Sequence, residues 1–336
     1  MSSKRPWCPS LIPAFSLVAG LGGVSVNSHY PADTVEAHVA AAKVAAGTEH
    51  MALLGLCDVP EPARAPQQPQ TLPPERQGPP DRSEWHAEPV KVFDNLYFVG
   101  QTDYSAWAVT TSAGIILIDT LWDYSVEDEV VGGLTKLGLD PTAIRYVLVS
   151  HGHADHAGGA KYLQDRFGAR VIMSAADWDL LGRDASPWPK PRRDLTATDG
   201  QKLTLGDTTL TLYLTPGHTP GTISTLIPVK DGGKSHLVAE WGGTGFNFTL
   251  TPDKPQRYWF KTYSKSAERF REIVTKAGAD ALISNHTSLD GSTTKLAALA
   301  RRRPGDPHPY VIGNDGVKRY LTVADECARA GLLRLK

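Results

Sequence analysis

Between positions 151 and 156 the chain reads His-Gly-His-Ala-Asp-His, four metal-capable side chains within six residues. Imidazole and carboxylate groups suit zinc, with iron or manganese as other possibilities. The apolar run Arg145-Tyr-Val-Leu-Val-Ser150 leads directly into this cluster and predicts a short buried strand. Alternate residues at a strand end point the same way, so His151 and His153 can share one metal. A turn then carries Asp155 and His156 toward a second. The small residues Gly152, Ala154, Ala157, Gly158 and Gly159 let the backbone wrap closely around ions. Two further histidines sit just past predicted strands: His218 in Thr215-Pro-Gly-His-Thr-Pro-Gly221, and His286 in Ser284-Asn-His-Thr287. With the cluster they complete two ligand sets. Structural zinc sites are usually closed by four protein ligands, whereas two sets of three leave positions open for chemistry.

HGHADH, then TPGHTPGT, then SNHT resembles the metallo-β-lactamase superfamily, with its HxHxDH signature and two later histidines. The resemblance extends from about Tyr97 to His286 and includes residues 114–119, which match the family's early strand ending in Asp. Within the family the pattern is most similar to the third subclass of metallo-β-lactamases, in which no Cys ligates the second metal. The resemblance implies a four-layer αβ/βα sandwich holding two zinc ions. His151, His153 and His218 would take one ion, and Asp155, His156 and His286 the other. The implied activity is hydrolysis of a cyclic, β-lactam-like amide by a metal-bridging hydroxide, with Asp155 as ligand and catalytic orienting group. Asp119 is a candidate partner for a ligand imidazole's far N–H.

The chain departs from the family in three places. Members that cleave thioesters or lactones carry a bridging Asp between the last two histidines; here Ala239-Glu240-Trp241 stands close to that position. This favours the lactamase-like site over lactone or ester hydrolysis, the alternative on the same metals. The small Ser residues with which third-subclass lactamases hold substrate are not evident, and Thr287 replaces an expected Pro. A mononuclear iron dioxygenase or redox protein, and a binding protein with structural metal, are the non-hydrolytic readings.

The elements that must position these residues can be read from pattern. Strands are expected at 90–99, 107–111, 114–119, 145–150, 170–173, 208–214, 223–228, 236–239 and 281–284. Helices are expected at 125–137, at 160–167 (closed by Gly168) and at 267–277. The result is an α+β chain with two β-rich halves, compatible with an αβ/βα sandwich. A main domain is expected to begin near Ser83. Before it come an Ala-rich helix with its N-cap at Asp33, a short apolar stretch at 51–57, and an extended Pro- and Gln-rich connector at 60–80. Trp178, Trp188, Phe246, Phe248, Tyr258 and Trp259 are candidates for an apolar groove, with core packing as the default. His308 reads as structural, as do His29, His38, His50, His86 and His236.

Composition narrows the partners. A net charge of −1 over 336 residues, with no basic run beyond Arg301–Arg303, argues against a nucleic-acid partner and for a small-molecule substrate. Lys4 and Arg5 followed by an apolar stretch at 11–26 read as a signal peptide cut near Ser28, which points to a periplasmic or secreted protein. No stretch reaches the roughly 20 apolar residues of a membrane span. Export would place Cys57 and Cys327 in oxidising surroundings, where a disulfide between them is expected.

Overall fold

The computed structural model describes residues 33–58 and 78–335. The expected signal segment at 1–28, His29 and most of the connector at 60–80 lie outside the described residues. No helix among those described is long and apolar enough to cross a membrane.

Among the described residues, twelve strands form two mixed sheets. The first orders β1 (Val90–Phe93), β2 (Leu96–Phe98), β3 (Trp107–Thr111), β4 (Gly114–Ile118), β5 (Ile144–Leu148), β6 (Arg170–Ser174) and β7 (Leu195–Ala197) in sequence. β1 to β4 are an antiparallel meander, and β4 to β7 run parallel. The second sheet is β12 (Ala281–Ser284), β11 (Lys234–Trp241), β10 (Ile223–Asp231), β9 (Thr208–Leu214) and β8 (Gln201–Leu205), antiparallel except for the β11–β12 pair. The parallel strands carry buried apolar runs at 115–118, 147–148 and 171–173, as strands covered on both faces do, with Arg145, Arg170 and Thr196 exposed toward the ends and edge.

Three apolar clusters define four layers. Phe98, Ile116, Ile118 and Leu148 from the first sheet meet Leu210, Ile227, Val238 and Ile283 from the second in the central cluster. The outer face of the first sheet is covered by Val130, Leu134, Leu163 and Leu181 from its helices. On the far side, the helices Gln256–Ala277 and Gly313–Arg334 cover the second sheet through Phe260, Phe270, Val317 and Leu321. This is the αβ/βα sandwich that the resemblance implies.

Several local expectations change. The run at 90–99 is two strands, because Asp94 and Asn95 make a turn that folds β1 back on β2. The first helix, Val35–Ala46, is capped by Thr34, one residue beyond Asp33; the Thr34 hydroxyl accepts from the Ala37 amide at 3.2 Å. The helix expected at 267–277 begins at Gln256. The N-terminal helix buries Ala42 and Ala46 in the same cluster as the C-terminal helix. The segment Met51–Asp58 is a 3₁₀ helix, and its Cys57 is bonded to Cys327, as expected.

Candidate metal centre

All six predicted ligands gather where strand ends of the two sheets meet. β5 runs out at Leu148, and Ser150 then turns the chain so that His151 is fully buried. His153 precedes the short helix Ala154–Ala157, which carries Asp155 and His156. His218 lies in the turn between β9 and β10, and His286 follows β12.

The donor atoms converge in two groups. His151, His153 and His218 form one, and His151, Asp155 and His156 another, each with ligand atoms within 4.8 Å. His218 Nε2 is 3.0 Å from His151 Nε2 and 3.1 Å from His153 Nδ1. His286 Nε2 is 3.3 Å from His156 Nε2 and 3.8 Å from the Asp155 carboxylate.

Hydrogen bonds behind the rings decide what these nitrogens are. His151 Nδ1 faces the Gly242 carbonyl at 2.8 Å, and His218 Nδ1 faces the Gly245 carbonyl at 2.7 Å. A carbonyl only accepts, so Nδ1 of each ring carries the hydrogen and Nε2 keeps its lone pair. Two lone pairs meeting at 3.0 Å repel unless a cation lies between them. The donor set therefore fits a metal ion, and imidazole nitrogen with carboxylate oxygen is zinc-compatible chemistry.

The electrostatics agree. Burial lowers His151, aided by its imidazole neighbours, and brings His218 down to about 3 and His286 to about 4. Imidazoles that resist protonation are free to ligate. His156 is the exception. Burial would lower it, but the Asp155 and Asp119 carboxylates push it up to about 10. Burial also opposes the charge on Asp155, yet His156 and then His286 hold its carboxyl well below the usual range.

Asp119 takes the place expected of it. Its Oδ2 lies 2.9 Å from His156 Nδ1 and accepts from the Ser150 hydroxyl at 2.8 Å; Oδ1 accepts the Ser150 amide at 2.7 Å. Asp119 adopts φ +60 and Leu121 φ +62, the two non-glycine residues with positive φ among those described. Such backbone costs about 1–3 kcal/mol and persists where the surroundings demand it.

Glu240 is buried in β11 opposite Thr225, and neither carboxylate oxygen has a hydrogen-bond partner among the described residues. It stands outside both donor groups. Burial, then the nearby Asp119, pushes it up to about 8.

Three contributors escaped the sequence reading. Asp177, buried at the start of helix Ala175–Arg183, accepts the Gly152 amide (2.9 Å), the Thr219 hydroxyl (2.7 Å) and the Gly221 amide (2.7 Å), so it ties the His151–His153 turn to the His218 turn. Its one sequence signal was Ser174-Ala-Ala-Asp177, a helix-start pattern. Asn285 donates to the same Gly242 carbonyl as His151, at 2.7 Å. Tyr104 lays its ring edge-on to His286, 5.2 Å between centroids, closing the second group from the side. Of the expected groove aromatics, Trp188 lines a cleft that includes His153, Trp259 lines a second cleft that includes none of the six candidates, and Trp178 is core. His308 donates to or accepts within the fold only, stacked on Phe93 with Nε2 on the Val92 carbonyl.

The family profile of the metallo-β-lactamase superfamily matches residues 99–231. A subclass B3 metallo-β-lactamase of Bradyrhizobium japonicum superposes with a TM-score of 0.61 at 26% identity, over 71% of this chain and 91% of that one. A metallo-β-lactamase of Cronobacter sakazakii gives 0.60 at 30% identity, over 71% and 91%. A hydroxyacylglutathione hydrolase of Acidiphilium cryptum is 40% identical over 81 residues, 24% of this chain and 30% of its own. The chain spans less than half the length of that relative and of the next two matched by sequence, at 38% and 42%.

Proposed function

Since the chain belongs to the metallo-β-lactamase superfamily, we propose that it is a zinc-dependent hydrolase that opens a cyclic amide of the β-lactam kind on two metal ions. The observation that carries this is the convergence of the donors: His151, His153 and His218 close on one point, and His286 Nε2 stands 3.3 Å from His156 and 3.8 Å from Asp155 beside it. His151, His153 and His218 would hold one ion, and Asp155, His156 and His286 the other. Bound zinc supplies Lewis acidity, making a water molecule acidic enough to serve as nucleophile near neutral pH and polarising the acyl carbonyl.

The protein's own groups do the positioning. The carbonyls of Gly242 and Gly245 fix the His151 and His218 rings, and Asp119 fixes His156 through Nδ1. Asp155 stays ionised across the neutral range, so its carboxylate accepts a hydrogen bond from the attacking water and aims it. Tyr104 packs its ring edge against His286 and so limits where that ring can turn.

The test is nitrocefin hydrolysis by the zinc-loaded protein, with a chelator control and Asp155→Ala alongside. Expected are turnover abolished by chelator, a loss of at least about 100-fold in Asp155→Ala, and about two zinc ions per chain. Full zinc content without turnover on any cyclic amide would discard this substrate class. Lactone or ester hydrolysis is the second reading, supported by the likeness to the hydroxyacylglutathione hydrolase. Against it, Glu240 has no place among the converging donors.

A further inference from the structure

Two clefts open beside the first donor set. One, of about 530 Å³, begins at Gly152 and His153 and is walled by Leu180, Arg183 and Trp188. The other, of about 520 Å³, is walled by Pro220, Trp259 and Lys254. They share Arg183 and Thr249.

Arg183 ends helix Ala175–Arg183 with its side chain exposed, and has neither hydrogen bond nor ion pair among the described residues. The acidic neighbours that could have neutralised it are engaged elsewhere. Asp179 accepts from Arg193 at 2.8 Å. Asp184 faces Lys190 at 3.4 Å and accepts the Trp188 indole N–H and the Ser186 amide. The remaining carboxylate of the two clefts, Asp253, is exposed in the second cleft, where Lys254 and Arg183 supply two positive charges against its one. A guanidinium is thus left uncompensated where both clefts meet, in a cleft that His153, Leu180 and Trp188 also line. Guanidinium matches carboxylate geometry with two parallel N–H donors.

We infer that Arg183 anchors an anionic group of the substrate, and that the preferred acyl compounds carry a carboxylate on an apolar body reaching from His153 to Arg183. This rests on the hydrolase reading above. Arg183 acts on binding and specificity, and the bond cleaved is unaffected by the assignment.

The experiment compares nitrocefin, which bears a carboxylate, with its methyl ester on the zinc-loaded protein and its Arg183→Ala, Arg183→Lys and Arg183→Glu variants. The ratio of kcat/KM for acid over ester should fall about 10- to 100-fold in Arg183→Ala, the range of a lost charge-assisted bond. It should fall further in Arg183→Glu and less in Arg183→Lys, with the change in KM. In parallel, quenching of tryptophan fluorescence reports binding of 4-nitrobenzoate and of neutral 4-nitrobenzamide, with Trp188→Phe identifying the responding ring. Arg183→Ala should weaken the benzoate about tenfold or more relative to the amide. An unchanged acid-to-ester ratio, or equal losses on both probes, overturns the assignment. Should the wild type hydrolyse neither compound, the cyclic-amide reading fails by itself. The fluorescence arm then decides on Arg183: selective loss of the benzoate supports the anchor, and equal affinities overturn it.

Discussion

The six candidate ligands were legible because their chemistry is local: three histidines and an aspartate within six residues leave few other uses, and His218 and His286 both follow strands. What orients them was not legible. The partners of His151 and His218 are main-chain carbonyls of Gly242 and Gly245, which no side-chain pattern announces. Asp119 is the exception: it was readable as a partner for one of the imidazoles, and the structure gives it His156. Asp119→Asn is expected to weaken zinc binding about 10- to 100-fold, measured by competition with a chromogenic chelator while the far-UV spectrum stays native. Asp177 offers a second check, through pH. Burial pushes its carboxyl up from 3.8 to about 6, against the Thr219 hydroxyl and the amides of Gly152 and Gly221 that favour its charge. Between those values the folded chain binds more protons than the unfolded one. The stabilisation from Asp177 is therefore present below about pH 4 and lost as pH rises through about 6. Urea unfolding of the metal-free protein should show the stability gap between wild type and Asp177→Asn shrinking from about pH 4 to about pH 7, by on the order of 3 kcal/mol.

Among the elements, strands that lead to the candidate ligands were found within a residue or two, since β5 and β12 are short and largely apolar and β9 alternates polar and apolar residues. The long helices were harder. In Gln256–Ala277 the buried stripe is Trp259, Phe260, Tyr263, Ala267, Phe270 and Val274, and its aromatic and serine-rich first half hides the helical period. Gly313–Arg334 carries Gly316 and Gly331, which argue against a helix in sequence. In the fold they are needed for close packing: a Cβ at Gly331 would lie 2.4 Å from the Phe260 ring. The loop after β11 follows the same logic. A Cβ at Gly243 would come within 2.7 Å of His218 Cβ and 2.9 Å of Thr222 Cγ2. Gly243→Ala must therefore move the His218 turn. Expected are a cost of about 1–3 kcal/mol and a metal content below that of wild type, read by denaturation and by elemental analysis.

At the scale of the whole molecule, the N-terminal helix looked like an appendage ahead of the domain, yet it shares a core cluster with the C-terminal helix. Nothing local in the sequence encodes that docking, since its partner lies some 270 residues away; the cysteine pair was the single clue. The Cys57→Ser, Cys327→Ser double variant should lose about 2–5 kcal/mol of stability, seen as a lower denaturation midpoint in non-reducing buffer. Thiol titration of the denatured, unreduced protein should find neither cysteine reactive.

The same bond has a mechanical meaning. Cys57 and Cys327 lie near opposite ends of the described chain and enclose both sheets and all six ligands between them. Tension applied between residues 33 and 335 would run along the N-terminal helix, cross the sulfur–sulfur bond and leave by the last turns of the C-terminal helix. Only these outer segments would peel away, extending by the length of some thirty residues at about 3.5 Å each. The metal centre would sit in an unloaded loop, and a stretched molecule would keep its ligands until the bond was reduced.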